Sequence, residues 1–355
     1  MTRVAAIDCG TNTIRLLIAD AHLEAGGVRL ETLERRNEIV RLGQGVDRTG
    51  RLDDAALERT LAVVEDYAAQ CERHGVPQGP GHRRFVATSA TRDAENREAF
   101  TTGVSHLLGI APEVISGDEE ARLAFAGSLL GSVAPQAPRL VVDLGGGSTE
   151  LVLGVGAPSA AISLDVGSVR ITERHLAHGV TAGGEEAARA EVRGLLEEAA
   201  QVVDLGAPEL IVGMAGTITT VTSHALGLEA FDPQAVDGAE LGVEQVLASC
   251  EAIIHSTPAQ REGWGFLSPG RRDVIAAGAL VWSEVVARVA TDTAAAGRPL
   301  RGTVTSLRDI LDGVALSLVP VEAAAPGSPQ SAGSPESSRA GAAPPHGAGS
   351  RPAVQ

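Results

Sequence analysis

The 355-residue sequence contains no lysine; all 29 of its basic side chains are arginine. Every cationic contact to an anion must therefore come from a guanidinium, whose planar fork suits phosphate. Aromatic residues are only 2% of the chain, so its cores must be built from Val, Leu, Ile and Ala. Cysteine is scarce as well. Cys9, Cys71 and Cys250 are far apart and odd in number, which argues against a disulfide framework or a cysteine metal motif and fits a reduced, cytoplasmic protein. No apolar run reaches the roughly 18 residues a membrane span needs. An apolar strand pattern starts within a few residues of Met1, so no signal peptide is expected. Positive charge is in deficit, with a net charge of −16. Nucleic acid and anionic membranes are therefore not expected as partners, and any phosphate site must be locally basic.

What is present centres on Leu140 to Val155. Apolar residues lead to Asp143, then Gly145-Gly146-Gly147, then Ser148, Thr149 and Glu150, then a second apolar stretch from Leu151. The pattern predicts a β-hairpin with a glycine turn. Backbone N–H groups in such a turn can form an anion-binding nest, and Ser148 adds a hydroxyl. A carboxylate beside a phosphate site usually holds a divalent metal or orients water. A second copy stands near the N-terminus: Val4 to Ile7, Asp8, Cys9, Gly10, Thr11-Asn12-Thr13, then Ile14 to Ile18. The repeat predicts two similar halves, with hairpins gripping a phosphate from both sides of a cleft.

Between and after the hairpins the chain alternates strand and helix signals. Strand is expected over 28–41, and a helix capped by Asp53 follows, ending near Gly75. A strand at 85–87 precedes Thr88-Ser89-Ala90-Thr91-Arg92, and a helix is expected over 94–108. Glu113 to Ser116 leads into a helix whose first turn holds Asp118, Glu119 and Glu120. The helix dipole accounts for acids there, but ligands in α/β folds also lie beyond strand ends. In the second half, strand is expected at 161–164 and 210–212, and helix at 185–203, 243–255, 271–290 and 307–318. A last strand is expected at 303–305. Gly213 to Thr217 is a second glycine turn into a helix, placing Gly216 and Thr217 either at a phosphate or in tight strand–helix packing. Arg271 and Arg272 stand at a helix start, where the dipole disfavours a cation; they either bind the remote end of a substrate or simply open the helix. His175 and His178 share a helix face but have no further ligands. From Pro320 onward Ala, Pro, Gly and Ser dominate, which predicts a disordered tail.

Six stretches now coincide with one family. They are Ala6 to Thr13, Ala87 to Arg92, Ile115 to Arg122, Val142 to Glu150, Gly213 to Thr217 and Arg271 to Gly278. In order, they cover about residues 3 to 318. The chain resembles the exopolyphosphatase / guanosine pentaphosphate phosphohydrolase family of the actin, Hsp70 and sugar-kinase superfamily. The resemblance implies two actin-like α/β domains with a central cleft. Domain I would be 1–128, with a helix at 305–319 packing back on it, and domain II would be 129–304. It implies Glu120 as catalytic base, the loop Asp143, Gly145, Ser148 and Glu150, and Arg92 as a phosphate ligand. Long members carry extra C-terminal domains; a short form without them, and a homodimer, are expected here.

The implied chemistry is phosphoanhydride hydrolysis. Glu120 would activate water, while N–H groups at Gly145, Gly146, Gly147 and Ser148, with Thr11, Asn12 and Thr13, would cradle the phosphate. Asp143 and Glu150 would hold Mg²⁺ or Mn²⁺; Asp8 either joins them or stabilises its hairpin. Expected substrates are short inorganic polyphosphate first and guanosine pentaphosphate second, because no aromatic within Gly213–Thr217 or Arg271–Arg272 offers a base platform and the acidic chain lacks an extended basic track. A kinase of the same superfamily and a non-catalytic alarmone sensor are the competing readings.

Overall fold

The computed structural model describes residues 1–24, 27–130 and 137–319; the predicted tail, 320–355, lies outside the described residues. The first sheet contains β1 (Thr2–Cys9), β2 (Thr13–Glu24), β3 (Gly27–Ile39), β4 (Arg83–Ala87) and β5 (Glu113–Val114). The second contains β6 (Arg139–Leu144), β7 (Thr149–Gly154), β8 (Pro158–Leu164), β9 (Leu210–Met214), β10 (Glu240–Leu241) and β11 (Thr303–Thr305). One order serves both. The run β3-β2-β1-β4-β5 is matched by β8-β7-β6-β9-β11, with β10 added at the edge. In each sheet the first three strands are antiparallel and the rest of the matched run is parallel. The repeated hairpins are thus the centres of two topologically equivalent sheets. Their strands β1 and β6 are covered on both faces, which is why Val4 to Ile7 and Leu140 to Val142 are uninterrupted apolar runs.

The helices form layers around the sheets. Asp54–Arg73 and Arg97–Leu108 enclose one core on the outer face of the first sheet. Ala182–Ala199, Gly216–Ala225, Val243–Ile254 and Ile275–Ala295 contribute to a core with the second sheet. Between the sheets lies a third core. Its helices are Gly117–Ser128, here the base helix, and Ile310–Ser317, here the terminal helix. The terminal helix packs on β1, β2 and β4, as expected, but the base helix packs on β6, β7 and β8. Residues 1–128 therefore do not close as a unit by themselves, because their last helix lies against the other sheet. The two helices cross at Gly127 and Gly313, where a Cβ would overlap the carbonyls of Asp309 and Leu123.

Local chemistry sets most boundaries. Asp53 accepts from the Ala56 N–H and caps its helix as predicted. The helix expected from Arg271 starts instead at Ile275, after a 3-10 turn over Pro269–Arg271. The last helix starts at Ile310 rather than 307 because Asp309 caps it, accepting from the Leu311 N–H. A helix over Ser168–His175 was not anticipated in full; it ends before His178, so the two histidines do not share a helix. No described helix is long and apolar enough to cross a membrane.

Candidate active site

The two hairpins, the base helix and the start of the terminal helix meet around a cavity of about 1010 Å³. Asp8, Thr11, Asn12, Thr13, Glu120, Asp143, Gly145, Gly146, Gly147, Ser148, Glu150, Gly216, Thr217 and Arg271 all line it. The cleft thus collects the expected residues from five separate stretches. Arg92 is the exception: its guanidinium donates to Glu120 Oε2 at 2.7 Å and to the Ile115 carbonyl at 3.0 Å. The expected phosphate ligand is bonded to the expected base.

In each hairpin the Asp faces one residue directly across the strands. Asp8 pairs in register with Arg15, and Asp143 pairs in register with Glu150. Arg15 donates twice to Asp8 Oδ2, at 3.0 and 2.6 Å, and once to Asp309 Oδ2 at 2.5 Å. Asp8, expected beside a metal, is occupied by an arginine. Arg15 and Asp309 were not anticipated, although the offset from Asp8 to Arg15 equals that from Asp143 to Glu150.

Asp143 and Glu150 have no such cation between them. Directly opposed like charges destabilise a β-ladder. Both residues are buried, and burial pushes the Asp143 carboxyl up to about 7. Arg15 counters that shift, while Asp309, Glu120 and Asp8 add to it. Burial raises Glu150 as well, with Glu120 and Asp143 adding repulsion; hydroxyls of Ser163 and Ser148 oppose the rise. Glu120 is raised by burial against the pull of Arg92. The first turn of the base helix separates its acids: Glu119 turns outward to Arg84 at 2.5 Å, and Glu120 turns into the cleft.

A buried, mutually repelling carboxylate pair is a donor set that fits a hard divalent cation. Asp8, Asp143 and Glu150 do not bring three ligand atoms to one point. Among the described residues the one trio that does is Glu185, Glu251 and His255, away from the cleft. Two carboxylates suit Mg²⁺, which keeps several waters and takes substrate oxygens.

The far wall holds Arg271. Burial lowers its guanidinium to about 10, and nearby Arg15 adds to the effect. Five described arginines line the cleft: Arg15, Arg35, Arg36, Arg271 and Arg308. All but Arg271 are paired with carboxylates. Gly216, left open between a phosphate contact and tight packing, lines the cleft and makes room for this side chain, since a Cβ there would overlap the guanidinium. Ala215, just before it, holds φ at 74°, a left-handed value rare outside glycine. Phe231 and Phe266 also line the cavity, so aromatic residues do reach it, from outside Gly213–Thr217 and Arg271–Arg272.

The chain matches the Ppx/GppA phosphatase family over residues 19–296. It is 43% identical over 326 residues to exopolyphosphatase 2 of Mycobacterium tuberculosis, spanning 90% of this chain and 99% of that protein. A solved exopolyphosphatase-like protein superposes with a TM-score of 0.83 at 42% identity, covering 89% of this chain and 97% of that one. The Aquifex aeolicus member of the Ppx/GppA family gives 0.69 at 28% identity, covering 89% and 97%. The architecture shared with these structures is the actin-like pair of α/β sheets.

Proposed function

Because the chain belongs to the Ppx/GppA phosphatase family, we propose that it hydrolyses the terminal phosphoanhydride of inorganic polyphosphate and releases orthophosphate. The observation that carries this reading is the uncompensated Asp143–Glu150 pair beside a glycine turn, with Glu120 close enough to repel both. Mg²⁺ or Mn²⁺, when bound, supplies the positive charge this pair lacks and the departing phosphate needs. Glu120 takes the proton of the attacking water; its raised pKa brings it nearer the solution pH, where a general base works best. Arg92 holds that carboxylate in place. The N–H groups of the glycine turn and the Ser148 hydroxyl receive the terminal phosphate. Arg271 meets the next phosphates along the chain.

Short chains are the preferred substrate in this reading. A long polymer needs a track of free cations, and Arg271 is the one lining arginine without a carboxylate partner among the described residues. Guanosine pentaphosphate is the second reading, favoured by Phe231, which lines the cavity and is 45% exposed. An exposed ring on the far wall offers a stacking face for a base.

The test compares orthophosphate release from tripolyphosphate, long-chain polyphosphate and guanosine pentaphosphate on one preparation, with and without exhaustive chelation. Metal-dependent release, fastest from tripolyphosphate, is expected. Full activity after chelation sinks the metal role. A higher kcat/KM for the nucleotide that falls on Phe231→Ala replaces the first reading with the second.

A further inference from the structure

Behind the glycine turn lies a second set of contacts that the reaction above does not use. The carbonyls of all three glycines bond toward the Ser168–His175 helix. Gly145 accepts from the Ser168 N–H at 3.1 Å, and Gly146 accepts from Val169 at 2.8 Å and Arg170 at 3.1 Å. These are N–H groups of a helix first turn, which have no partner within their own helix. The next helix N–H, of Ile171, is taken by the Gly167 carbonyl, so none is left for Gly147. Its carbonyl accepts from Arg170 Nε at 2.9 Å.

A trans peptide holds its C=O and the next N–H on opposite sides. Fixing the carbonyls of Gly145, Gly146 and Gly147 toward the helix therefore turns the N–H groups of Gly146, Gly147 and Ser148 the other way, into the cleft. For the Ser148 N–H, the group that sets this direction is a side chain.

Arg170 belongs to the second half of the chain, yet its remaining donors reach the first. It bonds Asp47, donates to Asp93 Oδ2 at 2.7 Å and reaches Ser89 Oγ at 3.4 Å. Asp165 lies 3.8 Å away. Two more contacts run beside it. Arg174 donates to Asp47 Oδ1 and Oδ2, each at 2.7 Å, and Glu173 accepts from the Gly45 N–H at 2.9 Å. Bonds from Arg174 first, then charge from Arg170, hold the Asp47 carboxyl below its usual range. Gly147 itself is pressed against the first half: a Cβ there would stand 2.5 Å from both Thr11 Oγ1 and Ser89 Oγ.

We propose that Arg170 is a positioning residue, a charged clasp between the halves that aims the glycine-turn N–H groups at the phosphate. It touches no reacting atom. It couples the fit of the two halves to the geometry of the anion site, so loosening Asp47 or Asp93 misaims a donor on the opposite wall. This role rests on the phosphate-hydrolysing reading for its consequence in turnover, but not for its effect on the turn.

The test uses the full chain. Amide hydrogen exchange at Gly145 and at Ser168 to Arg170, whose N–H groups are bonded to carbonyls of the turn, is measured without ligand, and tripolyphosphate binding is measured by calorimetry in a Glu120→Gln background. Arg170→Met is expected to speed exchange at least tenfold and to weaken binding by about 10- to 100-fold, the scale of misplacement by about an ångström. Arg170→Lys, a point charge without a fork, should recover part of the loss. Should Arg170→Met fold poorly, Asp47→Asn with Asp93→Asn removes the clasp while leaving the arginine and is expected to fall between. Unchanged exchange and affinity within twofold in the folded variants overturn the proposal. If the wild-type chain neither binds nor cleaves tripolyphosphate, the phosphatase reading fails, and the exchange rates still decide whether Arg170 orders the turn.

Discussion

The two Asp-x-Gly hairpins share strand order, pairing pattern and turn position, but they differ in the residue that faces the aspartate. In the first it is Arg15, in the second Glu150. One change of sign separates a closed ion pair from a buried site that lacks a cation. Asp8 has its charge answered at 2.6 Å, and Arg15 reaches on to Asp309, tying the hairpin to the terminal helix. Asp143 has only distant help from the same arginine. The repeat thus closes an ion pair in one copy and leaves two buried carboxyls facing each other in the other.

The strongest way to break the comparison is through Glu120, the base proposed to serve the second hairpin. Glu120→Gln should lower kcat by about 10²–10⁴-fold while tripolyphosphate affinity stays within a few fold; near-normal turnover would remove the role. Next come the aspartates themselves. Asp143→Asn should raise the Mg²⁺ concentration needed for half-maximal rate by about 10–100-fold. Asp8→Asn should leave that requirement alone and destabilise the fold by about 2–3 kcal/mol, less than the roughly 3–5 kcal/mol of a fully broken buried pair because Asp309 still holds Arg15. Metal titration of activity and denaturant unfolding separate the two.

Protonation gives a subtler contrast. Asp143 ordinarily titrates near 3.8 and here near 7, so its protonated form is favoured in the fold. Its contribution to stability is complete below 3.8 and is lost as pH rises to about 7. Without metal, the wild type should lose more stability over that range than Asp143→Asn, and Mg²⁺ should restore more at the upper end. Identical pH slopes for the two proteins would contradict the assignment.

The smallest effects concern the turns. A Cβ on Gly10 would meet nothing closer than 3.7 Å, whereas one on Gly147 would crowd Thr11 and Ser89. Gly10→Ala should change stability by less than about 1 kcal/mol. Gly147→Ala should cost about 1–3 kcal/mol and slow turnover. Equal unfolding midpoints would mean that the turns are interchangeable.

Much of this was readable from residue types. Apolar runs and glycine turns located both hairpins, and Thr303–Thr305 was placed to the residue. The register contrast was also present in the sequence, as equal offsets from Asp8 to Arg15 and from Asp143 to Glu150. It needed the hairpin pairing to become a statement about charge. Other contacts left no local signal. The Ser168–His175 helix is barely two turns long, too short for a strong period. Asp309, Phe231 and Phe266 reach the cleft through tertiary packing from distant segments. Arg92 was found as a residue but not as a partner, because nothing near it in the chain announces Glu120.

The crossing of the base and terminal helices has a consequence for how the chain is made. Arg15 waits for Asp309, 294 residues later. At about 5–20 residues per second, a ribosome delivers that partner roughly 15–60 s after the arginine. Through that interval the inner face of β1, β2 and β4 lacks the terminal helix that packs on it, and Arg15 lacks one of its two acids. The nascent first half therefore stays incomplete until Asp309 and the terminal helix have been made.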